Sequence, residues 1–395
     1  MKKLITLIIA FCLLVDIGCS GSYNEEEINN VRQLSPNICV AMTMPGKSHA
    51  ADNIRSKIIS FMEQQDKNVP IDVCIYGLDD EQIISVLENV IADGVRIRFV
   101  GNADGSKKLS DSSGYYYDGY RRIAASLDKH FPSGKGLRTQ WTKYSRFDDF
   151  KLINGSGIMH NKFMIFTDSD GRKTLMTGSM NLTQSCIELN NNDILFISDN
   201  RVADKYVRQF EYLLGLRSQA ECFERLIVDG RIIEVGFSHP SSKSSYVTDR
   251  IVSSVAECEN SIDFMIFTMT SQTLFDAVID RLSCDIAVRG LFDKAQLRSS
   301  KEEYLLGTSA ECRSDGNEYI MDNHGGKLHH KCMIIDAAGE NPTIITGSFN
   351  WTVNADKQNN ENILIIHSSK LAEMYEEFFE KEWDKGIKST GNQEI

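Results

Sequence analysis

The stretch His160-Asn161-Lys162-Phe163-Met164-Ile165-Phe166, continued after a turn at Asp168 to Gly171 by Gly178-Ser179-Met180-Asn181, returns nearly unchanged in the second half of the chain. There it reads His329-His330-Lys331-Cys332-Met333-Ile334-Ile335-Asp336, then Gly347-Ser348-Phe349-Asn350-Trp351-Thr352. In both copies the first histidine precedes the serine by nineteen positions. Histidine, one residue, then lysine at the head of an apolar run is a strand pattern. Alternate residues of a strand share a face, so an imidazole and an ammonium point into one site. An ammonium neutralises a non-bridging phosphate oxygen, while an imidazole can attack phosphorus or carry a proton near neutral pH. The Ser and Asn that follow add neutral donors for oxygens on which charge develops, and the glycine permits a close backbone approach. A single His-x-Lys arises often by chance, but two copies at matched spacing do not.

The repetition reaches further outward. Ile71-Asp72-Val73-Cys74-Ile75-Tyr76, a helical stretch through Asp80 to Ala92, and Val95 to Val100 are echoed by Ile262-Asp263-Phe264-Met265-Ile266-Phe267, Ser271 to Leu282, and Ile286 to Phe292. Strand, helix, strand with continuous apolar strands predicts a βαβ unit and a parallel sheet in each half. Third strands are expected at Asp193–Ile197 and Asn362–Ile366, each followed by a helix. The last helix, Leu371 to Trp383, is expected to cover a sheet and leave an acidic face in solvent. The predicted fold is α/β, two tandem α-β-α domains over 36–220 and 230–386, with the boundary between Arg217 and Gly230. Gly101 to Gly136 reads as a long loop, in which Tyr115, Tyr116 and Tyr117 pack on the surface or contact substrate.

The chain has 395 residues and a formal net charge of -12, which disfavours a protein that coats nucleic acid. Lys2 and Lys3 precede an apolar run from Leu4 to Val15 that is too short to span a bilayer, so residues 1–19 read as an export signal. Cys19 resembles the lipid-modified cysteine of a bacterial lipoprotein, with Asp16 where an aliphatic residue is usual. The expected location is outside the bacterial cytoplasm, membrane-anchored by that lipid, or otherwise periplasmic or secreted. Cys39, Cys74 and Cys332 read as buried thiols, whereas Cys222, Cys258, Cys284 and Cys312 are the disulfide candidates. No CxxC pair supports structural zinc. His324 and His330 flank His329, but His330 alternates to the other strand face, so a shared metal is not expected.

The two blocks resemble the His-x-Lys-x4-Asp motifs of the phospholipase D superfamily, over roughly Ile38 to Trp383. That resemblance implies two phospholipase D-like domains related by a pseudo-two-fold axis, with one active site at their interface. It also implies a phosphohistidine on one histidine, protonation of the leaving alkoxide by the other, and attack by water or an alcohol on the phosphoenzyme, without metal or other cofactor. Carried over, His160 is the nucleophile and His329 the acid, with Lys162 and Lys331 beside them. Ser179, Asn181, Ser348 and Asn350 would bind phosphate oxygens. Asp336 is the motif's aspartate, replaced by Thr167 in the first copy. Glu361 fits the family's histidine-orienting carboxylate, while Asn192 stands at the matching place in the first copy with Asp193 adjacent as a substitute. The carboxylate-backed histidine should then have its charged form favoured and the other should titrate lower. Glu361→Gln is expected to depress turnover strongly and Asn192→Ala to leave it.

For substrate, a phospholipid whose head group is released to give phosphatidic acid is favoured by the lipid anchor and the acidic balance. The alternative is a metal-independent endonuclease, since the second block looks closest to the nuclease and cardiolipin-hydrolase branch and Lys107, Lys108, Arg121 and Arg122 are available to grip phosphates. A non-catalytic binding module is disfavoured by retention of both His-Lys pairs. One chain carries both motifs, so a monomer is expected.

Overall fold

The computed structural model describes residues 30–388 except 106, 241–244, 298–304, 306–307 and 319–324. The expected export signal, Cys19 and His324 lie outside the described residues.

Continuous apolar runs form the inner strands. In the first sheet these are β1 Val31–Ser35, β2 Ile38–Met42, β3 Ile71–Ile75, β4 Ile97–Asn102, β5 Phe150–Ile153, β6 Lys162–Thr167, β7 Lys173–Gly178 and β8 Asp193–Ile197. They are ordered β1-β2-β8-β7-β6-β3-β4-β5. The second sheet is built from β9 Glu224–Val228, β10 Arg231–Ser238, β11 Ser261–Ile266, β12 Ala287–Phe292, β13 Glu311–Ser314, β14 Lys331–Ile335, β15 Thr343–Gly347, β16 Glu361–His367 and β17 Ile387–Lys388. Its order, β9-β10-β16-β15-β14-β11-β12-β13-β17, repeats the first with one edge strand added. The duplication seen in the sequence is therefore a duplication of topology.

The expectation of parallel sheets is corrected. Only β3-β4-β5 and β11-β12-β13 run parallel, and the other pairings are antiparallel. After the crossover helix the chain returns through tight turns between β6 and β7 and between β14 and β15, and a short turn can join only antiparallel neighbours.

Helices α1 Ser48–Glu63, α2 Glu81–Ala92 and α3 Tyr116–His130 cover the outer face of the first sheet. The short α4 Gln184–Glu188 precedes β8, and α5 Asn200–Leu214 follows it. In the second half, α6 Tyr246–Ala256 and α7 Gln272–Leu282 take the outer face, the short α8 Val353–Lys357 precedes β16, and α9 Ser369–Lys385 follows it. Between the two sheets lies one apolar layer drawn from both halves, including Phe163, Tyr206 and Phe210 from the first and Phe237, Cys332 and Phe378 from the second. The Tyr206 ring on α5 meets Phe163 at 5.0 Å and Phe237 at 4.9 Å. Each such fully buried side chain stabilises the joint by about 2 kcal/mol, so the halves share a core.

Three further expectations change. β1 pairs with β2, and β9 with β10, so the first unit begins before residue 36 and the second before residue 230. The predicted loop Gly101 to Gly136 contains α3, whose Tyr117 and Tyr120 are buried; its tyrosines pack against α2 and the strands because an amphipathic face had somewhere to go. Among the described residues, Cys222, Cys258, Cys284 and Cys312 form no disulfide with one another or with the other described cysteines. Cys258 and Cys312 are buried while Cys222 and Cys284 are exposed, and the Cys258 thiol donates to Asp336. Among the described residues no helix is long and apolar enough to cross a membrane.

Candidate active site

Each His-Lys pair sits where its half meets the other. β6 begins at Lys162 and β14 at Lys331, so the two histidines occupy the approach to a strand. The His160 amide donates to the Asn360 carbonyl at 2.9 Å, and the His329 amide donates to the Asn191 carbonyl at 2.9 Å. Isolated parallel bridges Met159–Asn360 and Asn191–Leu328 reinforce both crossings. The segment before each His-Lys strand is thus laced to the segment before the other half's last long strand.

That lacing exchanges side-chain partners. Nδ1 of His160 lies 2.8 Å from Oε2 of Glu361, and Nδ1 of His329 lies 2.8 Å from Oδ1 of Asn192. Asn192 donates its amide to the Cys186 carbonyl at 2.9 Å, which turns its oxygen toward His329 and makes that ring an Nδ1–H donor. Glu361 also accepts from the Ser348 hydroxyl at 2.6 Å and from the Asn359 amide at 2.9 Å. With both Nδ1 atoms engaged, Nε2 is the available nitrogen of each imidazole. Lys162 donates to the His160 carbonyl at 2.7 Å and Lys331 to the His329 carbonyl at 2.6 Å. An aromatic ring walls each pair: Tyr76 stands 5.1 Å from the His160 ring and Phe267 stands 5.0 Å from the His329 ring, edge to face.

Burial dominates the electrostatics. Desolvation pulls His160 down to about 4, with Glu361 opposing and Lys162 and Lys331 assisting. His329 is held well below its ordinary value by burial first, then by Lys331, Lys162, His160 and Lys327, with no carboxylate among these influences. His160, with a carboxylate behind it, is lowered less than His329, and burial with the lysines holds both rings below the usual imidazole range. Lys162 is lowered to about 8 and Lys331 to about 7, again chiefly by burial, and Lys162 further depresses Lys331. Burial alone would raise Glu361; His160, Lys162 and Ser348 more than reverse that and keep it ionised. The site is therefore a buried pocket in which two lysines disfavour each other's charge and a bound anion would favour both.

Several assignments read from the sequence move. Asp336 is outside the site, at the far end of β14, where it accepts from the Glu259, Asn260 and Ser261 amides at 2.9, 2.6 and 3.0 Å and holds a turn. Asp193 does not substitute behind His329; successive strand residues face opposite ways, so it lies on the rear face and pairs with Nδ1 of His330 at 3.2 Å. Ser348 and Ser179 serve Glu361 and Asp193 respectively, the latter at 2.8 Å, and so brace the histidine partners instead of presenting hydroxyls to phosphate. Asn181 and Asn350 keep buried side-chain oxygens without partners among the described residues. Asn192 is a direct histidine partner, so the expectation that Asn192→Ala is silent does not survive. Arg122 is taken up by Glu81 and Glu88, Arg121 by Asp118 and Lys107 by Asp104, so these are not free phosphate grips.

Residues missed in the sequence are Tyr76, Phe267, Thr346 and Tyr375, the last two donating to Asp193 in a rear network with His330, which lies on the opposite face as its alternation implies. Tyr76 and Phe267 could have been found, since both close the same repeated strand. The rear network has a neutral counterpart in the other copy, Asn362 with Asn161 and Thr177 at 3.1 and 3.0 Å.

The family described as cardiolipin synthase, PLD-like domain, matches residues 65–214 and 251–383. The mitochondrial cardiolipin hydrolase of Xenopus laevis is 28% identical over 156 residues, 39% of this chain and 68% of that protein. A phospholipase D of Rickettsia prowazekii (strain Madrid E) is 33% identical over 128 residues, 32% of this chain and 58% of that protein. The crystal structure of phosphatidylserine synthase from Haemophilus influenzae Rd KW20 shares the fold, with a TM-score of 0.59 over 88% of this chain and 85% of its own, at 11% identity.

Proposed function

We propose that this chain, which belongs to the phospholipase D superfamily and is a phosphodiester hydrolase, works through a phosphohistidine on His160 and prefers phospholipid substrates. The observation that carries the assignment of roles is the unequal backing of the two rings, Glu361 on His160 and Asn192 on His329.

A carboxylate behind Nδ1–H makes Nε2 the better nucleophile and stabilises the positive ring formed when Nε2 bonds phosphorus. Lys162 and Lys331 neutralise the non-bridging oxygens. The bound anion raises the proton affinity of its surroundings, so His329 takes a proton on Nε2 and passes it to the departing alkoxide oxygen as the P–O bond breaks. In the second step Nε2 of His329 removes a proton from water, the water oxygen attacks phosphorus, and the P–N bond to His160 breaks. The products are an alcohol and a phosphate monoester; with a phospholipid these are the head-group alcohol and phosphatidic acid.

Phospholipid preference is supported by the acidic net charge of -12, the engagement of the basic residues beside α3 with local carboxylates, and aromatic walls beside the histidines. Export and lipidation at Cys19 form part of the same proposal and would hold the enzyme at a bilayer. Labelled palmitate should enter the protein and be lost in Cys19→Ala.

The reaction is tested by incubating purified protein with phosphatidylcholine or cardiolipin vesicles and with single-stranded or plasmid DNA, all in EDTA. Head-group release in EDTA is expected. DNA cleavage without lipid cleavage would make it a nuclease, and loss of all activity in EDTA would refute the mechanism. Alkaline quench and mass spectrometry should find the phosphoryl adduct on His160 in the His329→Asn protein, and none in His160→Asn.

A further inference from the structure

The lacing of the two halves gives an internal control for which side chains were placed by architecture and which by function. Lys327 and Ile158 hold equivalent backbone positions, each two residues before its histidine. The Lys327 amide donates to Oδ1 of Asn190 at 2.9 Å and the Ile158 amide to Oδ1 of Asn359 at 3.2 Å. Their carbonyls accept from Asn191 at 2.8 Å and Asn360 at 2.9 Å. One backbone slot thus carries an ammonium in the second half and an aliphatic chain in the first.

The surroundings differ in the same sense. Beside His329, the Lys327 ammonium stands 6.0 Å from the centre of the Phe267 ring, which itself abuts His329. No salt bridge among the described residues takes up this ammonium. Asp293, whose charge Lys327 favours, is buried and turned onto the Leu328 and Ala295 amides at 2.9 and 3.1 Å. Beside His160 the wall is aromatic: Tyr76 meets Tyr116 at 5.7 Å, and Tyr116 meets the half-exposed Tyr115 at 5.5 Å. The cleft has a cationic side and an apolar side, although the fold that builds them is the same.

In an in-line displacement the nucleophile and the leaving oxygen lie on opposite sides of phosphorus. With His160 as nucleophile, the departing alcohol lies toward His329 and Lys327. We propose that Lys327 forms a leaving-group subsite that selects phosphodiesters whose departing alcohol carries its own negative charge, while Ile158 and the tyrosines receive the retained arm. A second phosphate on a glycerol-linked lipid supplies that charge, and so does the next phosphate of an oligonucleotide. A choline or ethanolamine head group is repelled there. This inference rests on the phosphohistidine reading and on His160 as its site.

The test uses the full chain in EDTA, with substrates dilute in neutral-detergent micelles so that surface charge recruits nothing. The lipid arm compares cardiolipin with phosphatidylcholine. The nucleotide arm compares a thymidine dinucleotide with a longer thymidine oligonucleotide. Bis(4-nitrophenyl) phosphate, whose leaving group bears no second phosphate, is the reference. The wild type should favour the doubly charged member of at least one arm by about fivefold in kcat/KM, as expected for one partly exposed ion pair at its upper range. Lys327→Ile, which copies the other half, should bring that ratio near one; Lys327→Glu should invert it and Lys327→Arg should keep it. If Lys327→Ile does not fold, Lys327→Gln carries the same expectation. An unmoved ratio in the neutral and acidic variants, with the reference substrate still cleaved, overturns the subsite alone. A wild type inert toward every substrate, or an adduct on His329, overturns the mechanistic reading and the subsite with it.

Discussion

Glu361 and His160 are 201 positions apart in the chain and 2.8 Å apart in the fold, joined across the interface between the two halves. The reciprocal contact, Asn192 to His329, spans 137 positions and brings an amide where the other brings a carboxylate. The duplicated fold supplies two equivalent cradles, and one acid in one of them makes the histidines unequal.

Removing that inequality should stop the reaction at its first step. Glu361→Gln is expected to lower kcat by roughly 10³- to 10⁴-fold, toward the loss of about 10⁴ that follows when a catalytic histidine loses its orienting carboxylate. Asn192→Ala should cost less, about 10- to 100-fold, through loss of the His329 tautomer. Single-turnover adduct formation distinguishes them: Glu361→Gln should slow the appearance of phosphohistidine, whereas Asn192→Ala should also slow its decay. Equal effects of the two variants on both phases would contradict the assignment.

Anion binding should take up protons. Lys331 is lowered to about 7 and Lys162 to about 8, and a phosphate should raise both. Above pH 7 the free site is increasingly deprotonated while the complex is not, so affinity for inorganic phosphate should fall as pH rises from 7 to 9. Calorimetry in buffers of different ionisation enthalpy should report net proton uptake at pH 8; uptake of zero would mean that both ammonium groups are already fully charged.

The same lysines should destabilise the protein on their own. Their folded-state values lie below the unfolded value, so between pH 7 and about 10.4 the unfolded chain binds more protons and their contribution to stability rises with pH. The penalty is fully present below that window. Lys331→Met is expected to raise Tm at pH 6 by several degrees and to do less at pH 9, measured by thermal melts of the ligand-free protein. A lower Tm at pH 6 would show that the bond to the His329 carbonyl outweighs the buried charge.

Behind His329, the buried Asp193–His330 pair is replaced in the other copy by Asn362–Asn161. Because the neutral version packs in the same topology, Asp193→Asn with His330→Asn should fold with stability close to wild type. Asp193→Asn or His330→Asn alone should cost more, on the order of 3 kcal/mol, by leaving one buried partner unsatisfied. Urea denaturation of the four proteins checks this cycle; additive losses would mean that the two residues do not act as a pair.

Much of this protein was legible because its signals are local and repeated. The His-x-Lys strands, the βαβ segments and the helices after β8 and β16 follow from periodicities of two and 3.6 that any reader of the chain can find. The mixed sheet was missed because apolar runs look alike in parallel and antiparallel strands, and strand direction depends on the connection. The helix within Gly101 to Gly136 was missed because its composition resembles a loop until Tyr117 and Tyr120 have a sheet to pack on. Asp336 stands at the other end of β14 from Lys331, so it holds a turn and takes no part in the cleft.

By itself, the chain determined the duplication, the fold class and the residue types of the chemistry, since each depends on neighbours within a few positions. Only the tertiary structure decided which acid stands behind which imidazole, which serines brace and which residues wall the cleft, and that Asp193 faces the rear. Those pairings form between halves that meet only after folding, where distance in space has no relation to distance along the chain.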